Sequence, residues 1–198
     1  MNLAKLFEMQ RQLDERIMEQ HPELRGQDNL PWKVLALQVE LGELANEWRG
    51  FKYWSNNRKA RILAYKKCPC GTDYGWCDEY GCEDGLLAYN PLLEEYVDCL
   101  HFILSIGLEL KAEKYKPFSL KKGNVIEQFI ELNMQTCWIF VLNKNENAMH
   151  IRKMRGEWYF LIDLFIGLGE MLGFTWEQVE QAYMQKHAEN VARQERGY

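Results

Sequence analysis

The chain has 198 residues, 47% of them hydrophobic, and its 29 acidic and 24 basic side chains leave a net charge of −5. That length suits one well-buried core, or one domain carrying an insertion, and the composition is that of an ordinary globular protein. The acidic balance argues against a general binder of nucleic acid or of anionic membranes, while a nucleotide stays open as a ligand because bound cations reverse a local field.

Almost every periodic segment has the helical period. Over residues 3–17, Leu3, Leu6, Phe7, Leu13 and Ile17 line one face and leave the opposite face polar. Charges run throughout this stretch and no apolar core region interrupts them, so it does not read as a signal peptide, and a cytoplasmic location is expected. After a turn-like stretch at 21–29, a second helix is predicted over 31–49, with Asp28 or Asn29 as its cap, Pro31 in its first turn and Gly50 as its stop.

From residue 56 to 85 the pattern breaks. The segment is rich in Cys, Gly, Lys, Arg, Asp and Tyr and reads as an inserted loop or small module. A third helix is predicted over 92–110, with Pro91 at its start, and a polar connector, KAEKYKPFSLKKGN, leads to a fourth over 125–142. A fifth covers 148–172 and stops at Gly173. The sixth runs over 175–193, opened by Thr175 and Gln178 in a capping-box pattern. The most apolar stretch, 158–174, is interrupted by Asp163 and Glu170 and is too short and polar to span a bilayer. No repeat and no strand is read. Six helices imply an all-α helical bundle, one domain over residues 1–198 with an insertion at 56–85.

The chemical signal lies in two of these helices. Glu40 and Glu43 are spaced i to i+3, with Glu47 a turn further on, and Glu95 and Asp98 repeat the spacing on the third helix. Residues three and four apart share a helix face, so two such helices packed antiparallel bring four carboxylates to one point. Crowded carboxylates repel unless a cation sits among them, and oxygen ligands without thiolates suit Mg²⁺ or Mn²⁺. Interleaved apolar residues, among them Leu41, Leu44, Val97 and Leu100, set these acids beside the buried stripes. The plainer alternative is a solvated acidic face, which spacing alone leaves open. A di-iron bundle needs a Glu-x-x-His pair on each of two helices; Asp98 and His101 approximate one, but Glu43 is followed by Asn46, so the set is incomplete.

The words ELGELANEWRGFKYWS (40–55) and EEYVDCLHFILSIGL (94–108) resemble the all-α NTP pyrophosphohydrolase superfamily, which includes MazG proteins and the dimeric dUTPases. The flanking FKYWS and HFILS words, the closing YMQKHAENVARQERGY and the amino-terminal MQRQLDERI are most similar to the dUTPase-like branch of Gram-positive bacteria and their phages. The resemblance implies a homodimer and Mg²⁺-dependent hydrolysis of dUTP to dUMP and pyrophosphate, with water attacking the α-phosphate. It implies Glu40, Glu43, Glu95 and Asp98 as Mg²⁺ ligands, with Glu40 also orienting or deprotonating the water. Lys52 and Trp54 fall where that family contacts substrate; Lys186, Asn190 and Arg193 would grip phosphates, Tyr198 would close the site, and Gln10 and Asp14 would help read the base. Each has a plainer reading too. Trp54 suits a loop staple, Lys186 and Arg193 suit cations near a helix C-terminus, His101 suits a hydrogen-bonded core histidine, and Glu47 suits a salt bridge.

The segment KKCPCGTDYGWCDEYGCEDG is a departure from that family's core. Cys68, Cys70, Cys77 and Cys82 fall within fifteen residues, and four thiolates so placed suit one structural Zn²⁺, against the alternatives of free thiols or an oxidised pair. Disulfides are disfavoured in a reducing cytosol. Cys99 and Cys137 lie in apolar helical runs and are expected as buried thiols. The aromatic residues Tyr74, Trp76 and Tyr80 suit a cover over the site, a subunit contact or a protein contact. Three functions stand: a dUTP pyrophosphohydrolase, a relative acting on dCTP or a non-canonical NTP, and a non-enzymatic helical interaction protein using the Cys-rich loop. Apolar helix surface at 103–110 and 158–174 is the stretch expected to seek a second copy.

Overall fold

The computed structural model describes residues 3–71, 75–78, 81–143 and 148–197. Among them six α-helices form: α1 (Leu3–Gln20), α2 (Leu30–Trp48), α3 (Pro91–Glu109), α4 (Val125–Leu142), α5 (Ala148–Met171) and α6 (Trp176–Glu195). The predicted helices are all present: both ends of α4 and the starts of α1 and α5 fall where predicted, and the remaining ends differ by one to three residues.

The caps explain most of those ends. Asn90 and Asn124 accept hydrogen bonds from the backbone N–H groups of Leu93 and Glu127, and Thr175 and Gln178 make the reciprocal box predicted for α6. At α2 the side chain of Asn29 makes no cap bond; Asp28 Oδ1 instead accepts from Leu30 N at 3.1 Å. Arg49, rather than Gly50, takes the left-handed conformation that ends α2, with φ 64° and its N–H donated to Ala45 O.

α3 is the central helix, packed against α1, α2, α5 and α6. Its apolar residues Val97, Leu100, Ile103 and Leu104 are fully buried. Trp158 on α5 inserts beside it, donating its indole N–H to Ile103 O at 2.8 Å. Gly107 makes that approach possible: a Cβ there would lie 2.5 Å from the Trp158 ring. The connector after α3 is pinned by Asp163, which accepts from Tyr115 Oη at 2.7 Å and Phe118 N at 3.0 Å. The acid that breaks the apolar run of α5 is thus a buried anchor for backbone that lacks secondary structure of its own.

A four-stranded antiparallel sheet corrects the expectation of no strand. Its strands are β1 (Ala64–Lys67), β2 (Trp76–Cys77), β3 (Cys82–Glu83) and β4 (Leu86–Tyr89), in the order β1-β4-β3-β2. Cys77 pairs with Cys82 across the β2–β3 turn, where Gly81 takes φ 63°, and Lys66 pairs with Leu87. Strands of two and four residues are too short for an alternating pattern to stand out. The sheet leaves the end of α2 and returns to the start of α3, so the bundle itself is uninterrupted.

The apolar excess is also elsewhere than expected. Ile103, Leu104, Ile106 and, on α5, Trp158, Leu161, Ile162, Leu164, Phe165 and Leu168 are consumed inside the bundle, whereas Ile130, Met134, Trp138 and Val141 on α4, with Leu35 and Val39 on α2, are exposed. Cys99 is buried, but Cys137 lies on that exposed α4 face, within 3.0 Å of Gln38 Nε2. Among the described residues no single helix is long and apolar enough to cross a membrane.

Candidate active site

α2 and α3 pack side by side and bring three of the four predicted carboxylates together. Oxygens of Glu40, Glu95 and Asp98 lie within 4.8 Å of one another. Glu43 stands one turn along, exposed, and close enough for its charge to raise the pKa of both Glu40 and Glu95. Burial is the largest cause for each, followed by the charge of Asp98, and both carboxyls are pushed up to about 7. Asp98 is raised by burial against the opposing charge of Lys186. A half-buried triad that cannot comfortably ionise together is the condition a cation relieves.

The cation facing the triad comes from α6. Lys186 Nζ lies 2.6 Å from Asp98 Oδ2 and 3.4 Å from Glu94 Oε1, and its charge lowers the pKa of Glu40 and Glu95. Lys186, Asn190 and Arg193 repeat at i, i+4 and i+7, so one face of α6 presents all three to a cleft of about 480 Å³. Glu40 and Asp98 line the same cleft. Arg193 also pairs with Glu189 at 3.0 Å.

The far end of the cleft is a buried polar network on α1, α3 and α6. Gln10 donates from Nε2 to Asp14 Oδ1 at 2.7 Å, which leaves its Oε1 to accept from Tyr183 Oη at 2.9 Å and from His101 Nδ1 at 2.8 Å. Asp14 Oδ2 accepts from Ser105 Oγ at 2.6 Å and pairs with Lys33 at 3.4 Å. With its proton committed at Nδ1, His101 carries a lone pair on Nε2 that has no partner among the described residues. Burial holds its pKa down at about 3, so the ring is neutral at any ordinary pH. His101 is therefore a bonded core histidine, stacked on Tyr183 at 4.1 Å, that also lines the cleft.

Other predicted residues are not brought to the cleft. Lys52 and Trp54 lie in the loop after α2; Trp54 is 65% exposed and packs edge-on against Phe51 and Tyr53. Glu47 forms a two-pronged pair with Arg61, and Arg61 N donates to Glu47 O, stapling the loop to α2. Tyr198, Tyr74 and Tyr80 lie outside the described residues. The sequence reading missed Lys33, Trp32 and Tyr183. Tyr183 precedes Lys186 by three positions on the same helix face, which was the available signal. Lys33 and Trp32 had none, being a cation and an aromatic at a helix start.

The four clustered cysteines converge as well, with sulfurs within 4.8 Å of one another. Hydrogen bonding to Cys68, then burial, then hydrogen bonding to Cys70 push the Cys82 thiol up to about 12.

Comparison with protein families gives one finding. The family described as dUTPase matches residues 2–65 and 86–198, passing over 66–85. No curated protein matches the chain.

Proposed function

From the membership of this chain in the dUTPase family, whose members are dUTP diphosphatases, we propose that its cleft hydrolyses dUTP to dUMP and pyrophosphate with Mg²⁺ held by Glu40, Glu43, Glu95 and Asp98. The observation that carries the reading is the meeting of Glu40, Glu95 and Asp98 within 4.8 Å, at a cleft that Glu40 and Asp98 line together with Lys186, Asn190 and Arg193. The donor set is oxygen only, and burial, followed by the charge of neighbouring carboxylates, raises two of its members to about 7, which fits a hard cation such as Mg²⁺ or Mn²⁺. Bound there, the cation supplies charge neutralisation on the phosphate oxygens.

The remaining work falls to the chain's own side chains. Glu40, the one acid of the close triad contributed by α2, orients the attacking water and accepts its proton. Water adds at the α-phosphorus, the bond from that phosphorus to the α,β-bridging oxygen breaks, and the electron pair leaves on pyrophosphate. Lys186, Asn190 and Arg193 hold the departing phosphates and stabilise the charge that develops on them. Lys52 and Trp54, from the loop after α2, are proposed to contact the substrate.

Base choice is proposed to rest on the buried network. The unpartnered Nε2 of His101 accepts a hydrogen bond, which suits the N3–H of uracil and opposes the N3 lone pair of cytosine. Gln10 and Asp14 hold that imidazole in its tautomer through the bonds described above. This favours dUTP over dCTP, the competing substrate of a sister branch. A buried group left facing a like group gives stronger discrimination than a fit of shape.

The working unit is proposed to be a cytoplasmic homodimer, with a second copy covering the exposed apolar face of α4 and α2. The insertion at 56–85 is proposed as an appendage of a single domain over 1–198. Hydrolysis in isotopically labelled water tests the reaction itself. Label in dUMP and none in pyrophosphate is expected; label in pyrophosphate would move the attack to the β-phosphorus and refute the assignment.

A further inference from the structure

Among the described residues the small sheet has no hydrophobic core. Between residues 61 and 90 the buried positions among those described are Cys68, Cys82 and Gly85. Trp76 and Tyr65 are exposed, and Tyr89 is only half-buried. A module of this size cannot hold its strands by apolar burial, and units that lack a core are held instead by a metal or a crosslink. At its centre lie four sulfurs from two separate turns: Cys68 and Cys70 at the end of β1, and Cys77 and Cys82 facing each other across the β2–β3 turn. Cys70 and Cys82 are 3.5 Å apart at sulfur. A tetrahedron of thiolates around Zn²⁺, with metal–sulfur bonds of about 2.3 Å, needs sulfurs about 3.8 Å apart.

We propose that Cys68, Cys70, Cys77 and Cys82 bind one Zn²⁺, and that this ion fixes β1 so that Lys66 is held against the rim of the acidic site. The four thiols surrender their protons as the ion enters, leaving a tetrathiolate centre. Lys66 is two residues from the first ligand, and its Nζ lies 3.5 Å from Glu94 Oε1, the same oxygen that Lys186 approaches at 3.4 Å. The ring of Tyr89 on β4 lies 5.1 Å beneath its amine. Lys66 is thus a positioning residue: it shares Glu94 with Lys186 and so leaves more of the Lys186 charge for Asp98 and the cleft. It falls in the stretch that the family match passes over, so this contact belongs to the insertion.

The zinc arm of the test is independent of the proposed activity; the Lys66 arm rests on it. Protein purified without added metal is expected to carry one zinc per chain by elemental analysis. Exchange with Co²⁺ should give the thiolate charge-transfer bands of a tetrahedral sulfur site. The double variant Cys77→Ser, Cys82→Ser should lose both while keeping helical circular dichroism. If that variant fails to fold, a mercurial reagent on the wild-type protein should release zinc with the helices intact. Absence of zinc together with freely reactive thiols in the native protein, iron in its place, or a disulfide among the four would overturn the site. For the second arm, zinc release and Lys66→Met should each raise KM for the magnesium–nucleotide about two- to fivefold at unchanged kcat, the scale of one exposed ion pair. An unchanged KM in both would remove the link to Lys66 while zinc analysis still judges the metal.

Discussion

Lys186 on α6 and Asp98 on α3 form a 2.6 Å ion pair at the edge of the acidic triad, each side chain less than a fifth exposed. This contact joins the helix that carries the cleft-lining cations Lys186 and Arg193 to the helix that carries two of the clustered acids. It also lowers the pKa of Glu40 and Glu95, which burial and their neighbours would otherwise drive further up. Replacing Lys186 by Met is expected to cost about 10²–10³ in kcat, the scale of losing one electrostatic stabiliser. The acidic limb of the pH–rate profile should move to higher pH. A variant with an unshifted profile and near-normal kcat would separate Lys186 from the site.

Repulsion within the triad makes a prediction of opposite sign for stability and activity. Asp98→Asn and Glu95→Gln each remove a charge that the fold disfavours. Either should abolish turnover, and Glu95→Gln should raise the metal-free Tm at pH 8 by about 2–4 °C. Glu43→Gln should also abolish turnover with the helices intact. Thermal unfolding and pyrophosphate release on the same samples decide it.

The raised pKa values also set a pH dependence. Glu40 and Glu95 bind protons more tightly folded than unfolded, so their contribution to stability is complete below about 4.5 and is lost as pH rises through about 7. Metal-free protein should therefore lose stability across that window from these two groups, and saturating Mg²⁺ should restore it at the alkaline end. Titration calorimetry in buffers of different ionisation enthalpy should find protons released on Mg²⁺ binding at pH 6.5, and almost none at pH 8.5. Equal release at both would mean the carboxylates are not the ligands.

His101 offers a test of base choice. His101→Asn retains a donor and an acceptor but changes where they point, and it should reduce the preference for dUTP over dCTP by about 10-fold or more. Far-UV circular dichroism should remain that of the wild type. Unchanged discrimination would assign base reading elsewhere.

Much of this was legible in the chain. The helices follow from apolar residues at three and four, and the paired acids follow from their spacing within those stripes. The α6 face of Lys186, Asn190 and Arg193 is a matter of arithmetic at 3.6 residues per turn. What was not legible depends on distance across the fold. Nothing local says that Gln10 and His101, 91 positions apart, share a hydrogen bond. Nor could spacing tell that Glu43 is left exposed while Glu40 joins the close triad, because both lie at the margin of one stripe. The strands at 64–89 were hidden because their ordering centre is four cysteines rather than an alternating apolar face. Apolar content alone also misjudged which surfaces are spare. The long stripe of α5 is spent on Trp158, Leu161 and Phe165 inside the core, whereas α4 carries the exposed face.

That face predicts the oligomeric state. Trp138→Glu with Met134→Lys places charges where the second copy is expected to dock, so sedimentation should shift from dimer to monomer. A wild-type protein that is already monomeric at micromolar concentration would contradict the assembly.

The most direct test of the central claim is pyrophosphate release from dUTP, dCTP, dTTP, dATP, dGTP and UTP in the presence of Mg²⁺. Strong preference for dUTP, with dUMP as product and activity lost in EDTA, is the predicted result. Turnover of dUTP that persists after complete removal of divalent cations would contradict the metal site built on Glu40, Glu95 and Asp98. Preference for dCTP, whose N3 is a lone pair, would contradict the reading of the base by His101 and Gln10.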